Sequence, residues 1–143
     1  MRLPLLDVHT VGAGGGSIAW LDSLKALHVG PKSAGADPGP ACYGKGGTQP
    51  TVTDADLVLG YLNPNYFLGG KIPLNIKLAE KAIKEKVANL LGLDVAKAAY
   101  SIKRIVDHNM ADAISAVSVQ RGEDPRQYVL VTAGGAGPVH AAS

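Results

Sequence analysis

Tyr128-Val129-Leu130-Val131-Thr132-Ala133-Gly134-Gly135-Ala136-Gly137-Pro138-Val139-His140 decides the fold class. Five residues of buried-strand type run into a turn of three glycines and one alanine, and Pro138 then stands where a helix opens. Strand, glycine turn and helix in that order belong to an α/β (α+β) chain. A turn of this kind presents free backbone N–H groups and the positive end of a helix dipole, and glycine lets a ligand approach the backbone closely. It has no Gly-Lys-Ser/Thr and lacks the third position of a Gly-x-Gly-x-x-Gly fingerprint. On the residues alone, a nucleotide-binding turn and a tight turn with nothing bound stand equally open. The pattern runs only about one turn into its last helix, and an isolated turn is barely stable, so the sequence reads as cut there.

Working outward, the other glycines cluster too. The chain has 18 in 143 residues, concentrated at Gly12–Gly16, Gly30–Gly47 and Gly134–Gly137. Ser17–Asp22 and Ala26–Val29 read as two strands joined by a short turn. The glycine- and proline-rich stretch after them also carries Ala34, Ala36, Ala41, Cys42 and Tyr43, which suits an ordered loop laid over a site. Thr53, followed by Asp54 and Asp56, reads as a helix cap with acidic first-turn residues, the helix stopping near Leu62 before Asn63-Pro64. A helical stripe of apolar residues covers Ile76 to Leu91 and ends at Gly92. Asp94 caps a longer helix, with Val95, Ala98, Ala99, Ile102, Ile105, Val106, Met110, Ala113, Ile114 and Val117 on one face and a stop at Gly122. One domain results: a glycine-rich hairpin region over 1–52, a helical region over 53–122, and a strand, glycine turn and helix start over 123–143.

Composition excludes several classes. Hydrophobic residues make up 46% and charged residues 18%, with a net charge of +2 and no basic cluster, so nucleic acid is a poor partner. Aromatic residues are 5%, which removes the stacking platforms of single-strand binders. No apolar run approaches the roughly 20 residues of a membrane helix, and the first residues are too short an apolar run for a signal peptide. A cytoplasmic protein is the expectation. The single cysteine excludes an internal disulfide, and Cys42 between Ala41 and Tyr43 reads as a small buried hydrophobe rather than a nucleophile.

Three groups of residues are candidates for chemistry. Asp7 and His9 are two apart and would face the same side of an extended strand, as an acid/base pair or part of a metal site; equally, Asp7 orients His9 or caps a turn. Two ligands fall short of a metal site, so the metal ligands stay unknown. Asp37 is fixed in extended backbone by Pro38 and joins Asp7 and His9 as a catalytic candidate. His28 and His108 read as surface residues, and His140 as a residue that caps, packs or touches a ligand.

Five segments together give the chain a family likeness. Thr10–Trp20, Val29-Gly30-Pro31 with Ser33–Gly44, Thr51–Ala55, Phe67–Gly70 and Gly134–Pro138 with His140-Ala141 resemble the hydantoinase A, 5-oxoprolinase and acetone carboxylase beta subunit family in order and spacing. The resemblance implies a fragment of an actin-like, sugar-kinase-like ATPase fold. It implies ATP with Mg²⁺ as cofactor, used to activate a cyclic amide such as a hydantoin or lactam for ring opening, or a ketone in the carboxylase relatives. A hydantoinase B-like subunit or domain is the implied partner. By the same resemblance Gly134, Gly135, Ala136 and Gly137 are the adenosine-binding turn, and Asp7 and His9 lie on the substrate or metal side. The chain departs from the family in lacking an Asp-x-Gly-Gly-Thr phosphate loop and in having Leu24-Lys25 where a glycine pair is expected. Alone it should bind ATP weakly or not at all. A nucleotide-binding module without catalysis, and a helical scaffold for a partner subunit, are the readings from other classes.

Overall fold

The computed structural model describes residues 8–142. It begins with an antiparallel hairpin of β1 (Ser17–Leu21) and β2 (Leu27–Ser33), close to the expected strands but with the second extended through Ser33. Ala19 pairs with Val29 and Trp20 with His28, so alternation sends Ala19 and Val29 into the core and stacks the Trp20 and His28 rings outside at 4.6 Å. The hairpin turn departs from the glycine pair in an instructive way. Asp22 Oδ1 accepts from the Leu24 and Ala26 amides at 2.9 and 2.8 Å, while Lys25 adopts φ +62°. A carboxylate thus holds a left-handed position that a β-carbon disfavours. Lys25→Gly is expected to raise the unfolding free energy by about 0.5–1 kcal/mol, the relief of strain being partly offset by a more flexible unfolded chain. Urea unfolding measures it, and an unchanged or lower midpoint would contradict it.

The segment after β2 is ordered, as expected. It makes a turn over 35–38 and a 3₁₀ turn at Ala41–Tyr43, with Pro40, Cys42 and Pro50 fully buried. Burial, reinforced by the nearby Asp54 carboxylate, drives the Cys42 thiol far above its ordinary range, which leaves it an inert core residue.

Helix α1 (Val52–Val58) starts two residues earlier than the sequence suggested and stops sooner. Its cap is Thr51, not Thr53: the Thr51 side chain accepts from the Asp54 amide, and Asp54 Oδ2 accepts in return from the Thr51 amide at 2.9 Å. Thr51 and Asp54 have the spacing of a reciprocal capping box; Thr53 and Asp56 have the same spacing, but the Thr53 amide and hydroxyl are both bonded to Gly15 O. Helix α2 (Ile76–Ile83) passes through a π-helical turn (Lys84–Ala88) into α3 (Asn89–Leu91), and Gly92 ends it at φ +66°. The long helix α4 (Val95–Gln120), capped by the Asp94 side chain, spans about 40 Å. Only its first half is core: Ala98, Ala99, Ile102 and Val106 are fully buried with Val52, Ala55, Ile83 and Val87, whereas Ile114 and Val119 are exposed.

The expected strand at Tyr128–Thr132 is not formed. Among the described residues no strand lies beside it, and Val129 and Val131 are 90% and 85% exposed. A strand is defined by its ladder, and here the apolar residues have no neighbour to pair with. The turn over 134–136 does form, with Gly134 at φ +82°, and runs into the single-turn helix α5 (Gly137–His140).

Candidate functional site

The two ends of the described chain meet over the start of α1. Gly15 O accepts hydrogen bonds from the Thr53 amide at 2.8 Å and from Thr53 Oγ1 at 2.9 Å, which fixes the Gly12–Gly16 loop on the first turn of the helix. Gly15 has no room for a side chain. A β-carbon there would stand 2.8 Å from Thr53 Oγ1 and 3.6 Å from Ala136 Cβ, so the first and last glycine clusters are neighbours in space. Between them lies a cavity of about 150 Å³, lined by Gly15, Gly16, Thr53 and Asp56 on one side and Gly135, Ala136 and Val139 on the other; Tyr43, Leu62 and Phe67 close it.

A buried ionic cluster holds the last segment in place. His140 is 7% exposed; its Nδ1 donates to Asp107 Oδ1 on α4 at 2.6 Å, and its Nε2 faces Asp56 Oδ2 on α1 at 3.4 Å. Lys103, 4% exposed, donates to Asp107 Oδ2 at 2.8 Å, and its ammonium lies 5.0 Å from the centre of the Tyr61 ring. The Asp56 carboxylate is the main influence raising the His140 pKa above its ordinary 6.5; burial opposes it and Asp107 adds to it. Burial works to raise the Asp107 carboxyl, but the bonds from Lys103 and His140 outweigh it and leave it below its ordinary value. His140 therefore packs and positions. It ties α5 to α1 and α4 and so sets Gly135 and Ala136 opposite Gly15 and Gly16.

This clasp has a pH signature. A histidine whose folded pKa is raised stabilises the fold in full below its unfolded value of about 6.5, and that contribution is lost as the pH rises through the higher folded value. Compared with His140→Gln, the native chain is expected to melt higher at pH 5.5, with the gap narrowing steadily above pH 6.5. Melting curves whose separation is constant from pH 5.5 to 9 would contradict the assignment.

The sequence candidates are not all brought together. Gly135 and Ala136 line the cavity; Gly134 and Gly137 belong to the same turn. Asp7 lies outside the described residues, and His9 is exposed and in no strand. Asp37 is exposed on the turn over 35–38, away from the cavity wall. Exposed His108 faces Asp112 on α4 and half-buried His28 faces Asp22, close to the surface roles expected of them. Sequence reasoning missed Asp56, Lys103 and Asp107. The available signals were an acid within the apolar run of α1, and a Lys-Asp pair four apart beside Ile102 and Val106.

Neither cofactor finds a complete site. No three His, Cys, Asp or Glu side chains among the described residues are grouped to hold a metal ion, so these residues do not by themselves form a cage for Mg²⁺. For a nucleotide the fit is partial: two glycine backbones facing each other suit one ring of the molecule, and about 150 Å³ does not enclose the whole. A larger open groove along Ile18, Trp20, Gly30, Pro31, Lys32 and Gln49 carries no acid among the described residues. No helix among the described residues is long and apolar enough to cross a membrane.

The mixed fold is shared with a known class of proteins. The hydantoinase/oxoprolinase family profile matches residues 1–143, and the chain belongs to that family. It is 54% identical over 138 residues to the caprolactamase subunit alpha of Pseudomonas jessenii, covering 96% of this chain and 20% of that one. It is 53% identical over 143 residues to the acetophenone carboxylase gamma subunit of Aromatoleum aromaticum, covering 99% and 20%. The crystal structure of the ATP-dependent caprolactamase from Pseudomonas jessenii superposes with a TM-score of 0.88 at 53% identity, over 98% of this chain and 20% of that one. The chain thus spans about a fifth of the length of the relatives it matches.

Proposed function

We propose that this chain is part of an ATP-dependent enzyme that opens a cyclic amide, a hydantoin or lactam, and that its glycine-lined cavity holds part of a bound ligand. The observation that carries the reading is the meeting of Gly15 and Gly16 with Gly135 and Ala136 around one cavity. Residues distant in sequence bring bare backbone together there, and the caprolactamase relative is described as ATP-dependent. Bound ATP would supply the phosphoryl group that turns an unreactive amide oxygen into a leaving group. The chain's own part is to bind and orient: Thr53 fixes the first glycine loop, and His140, held by Asp56 and Asp107, fixes the second. Gly134, Gly135, Ala136 and Gly137 are proposed as the cofactor side, and Asp7, His9 and Asp37 as residues on the substrate side. A hydantoinase B-like subunit is proposed as partner, since the matched relatives are themselves named as subunits.

A carboxylase-type role is the second reading, because the likeness to the acetophenone carboxylase subunit is almost as high as that to the caprolactamase. Phosphate release from ATP by the assembled enzyme separates the two. Stimulation by a lactam without bicarbonate supports the hydrolase. Stimulation only by a ketone with bicarbonate supports the carboxylase, and release indifferent to both overturns the proposal.

A further inference from the structure

The wall of the glycine-lined cavity contains a charge that the protein leaves incompletely satisfied. Asp56 is 2% exposed; its Oδ2 faces His140, but its Oδ1 has no hydrogen-bond donor among the described residues. A buried carboxylate oxygen without a donor is costly, and native structures rarely retain one without a purpose. The carboxylate is also held firmly, on the one turn of α1 that carries both the Thr53 bond and the contact to His140.

The surroundings define what can reach that oxygen. Among the described residues no lysine or arginine lines the cavity; apart from Asp56 its lining is glycine and alanine, Thr53, Tyr43 and the apolar Leu62, Phe67 and Val139. A phosphate placed here would meet a carboxylate with no cation between them, so an anion is disfavoured. A neutral N–H or O–H would satisfy Oδ1 directly. The volume of about 150 Å³ equals that of about five liquid water molecules, room for one small polar ring.

We infer that Asp56 Oδ1 recognises an uncharged hydrogen-bond donor, a hydroxyl or an amide N–H, on a small ring seated between Gly15-Gly16 and Gly135-Ala136, with any phosphates lying outside this cavity. The inference rests on the cavity being a ligand site, as proposed above. The donor has two sources: the sugar hydroxyls of a nucleoside or the N–H of a cyclic amide.

The test deletes the donor from the ligand, which leaves the fold untouched. Adenosine and 2′,3′-dideoxyadenosine form one pair, caprolactam and N-methylcaprolactam the other, each titrated into the ¹⁵N-labelled chain and followed at the amides of Gly15, Gly16, Gly135 and Ala136. One parent is expected to shift these amides, and loss of its donor is expected to weaken binding by about tenfold or more. The pair that responds identifies the source. In Asp56→Ala, which has no acceptor at that position, the same deletion is expected to change affinity by less than about threefold; if that variant does not fold, the native chain's two pairs decide alone. The inference is overturned if neither parent binds at these amides, if donor loss leaves affinity unchanged, or if Asp56→Ala keeps the full discrimination. Binding without donor dependence sinks this inference and leaves the proposed function standing. Donor-dependent binding together with ATP hydrolysis indifferent to a lactam sinks the proposed function and leaves this one.

Discussion

Asp54→Ala is expected to lower the unfolding free energy by about 3–5 kcal/mol, the largest loss from any single side chain outside the apolar core. The Asp54 carboxylate is fully buried and accepts four hydrogen bonds. Cys42 N donates to Oδ1 at 2.7 Å, and Ala41 N, Thr51 N and Thr51 Oγ1 donate to Oδ2 at 3.2, 2.9 and 2.8 Å. Truncation orphans three backbone amides at once, removes the Asp54 half of the capping box on α1 and frees the 3₁₀ turn that Asp54 anchors. Urea unfolding of both proteins at pH 7 measures the loss. Asp54→Asn is expected to fall between them, since one amide oxygen still accepts but its NH₂ faces donors. A loss under about 1 kcal/mol for alanine would show that the loop and helix are held by something else.

Gly30→Ala is expected to cost about 2–4 kcal/mol, from two sources that act together. Gly30 has φ +73°, where a β-carbon is strained, and that carbon would collide with the carbonyl oxygen of Gly12. Neither partner yields easily: Gly30 is in β2, its carbonyl accepting from Trp20 Nε1 at 3.0 Å, and the Gly12 loop is tied through Gly15 to Thr53. The damage should therefore spread to the cavity, moving Gly15 and Gly16 away from Ala136. Thermal melting combined with the amide signals of those two glycines checks both halves. A variant with native stability and unmoved Gly15 and Gly16 signals would contradict the packing described. Gly135→Ala is the matched control, since nothing lies within 4 Å of a β-carbon there.

What the sequence made legible were features carried by neighbours in the chain. Helix α4 followed from its apolar stripe and the Asp94 cap, the end of α3 from Gly92, and the hairpin from two short apolar runs. Errors arose where local signals compete. Thr51 and Thr53 both precede an acid by three residues, so the capping-box spacing fits either; the fold decides, since Thr53 is bonded to Gly15 O and only Thr51 and Asp54 reach each other's amide. The run at Tyr128–Thr132 has the composition of a strand, but composition does not supply a partner. Of the site, the turn at Gly134–Gly137 was readable and its opposite wall was not. Asp107 and His140 are 33 residues apart, and Gly15 and Thr53 are 38, separations at which no periodicity reports contact. The role of His140 became clear only when three elements were seen to converge on it.

The central claim is that the first and last glycine segments form one ligand site. A titration of the ¹⁵N-labelled chain with ADP tests it most directly. The account predicts that Gly15, Gly16, Gly135 and Ala136 shift together along one binding curve, with those along the Trp20–Lys32 groove unmoved. Shifts confined to that groove, or to one glycine segment while the other stays still, would contradict it.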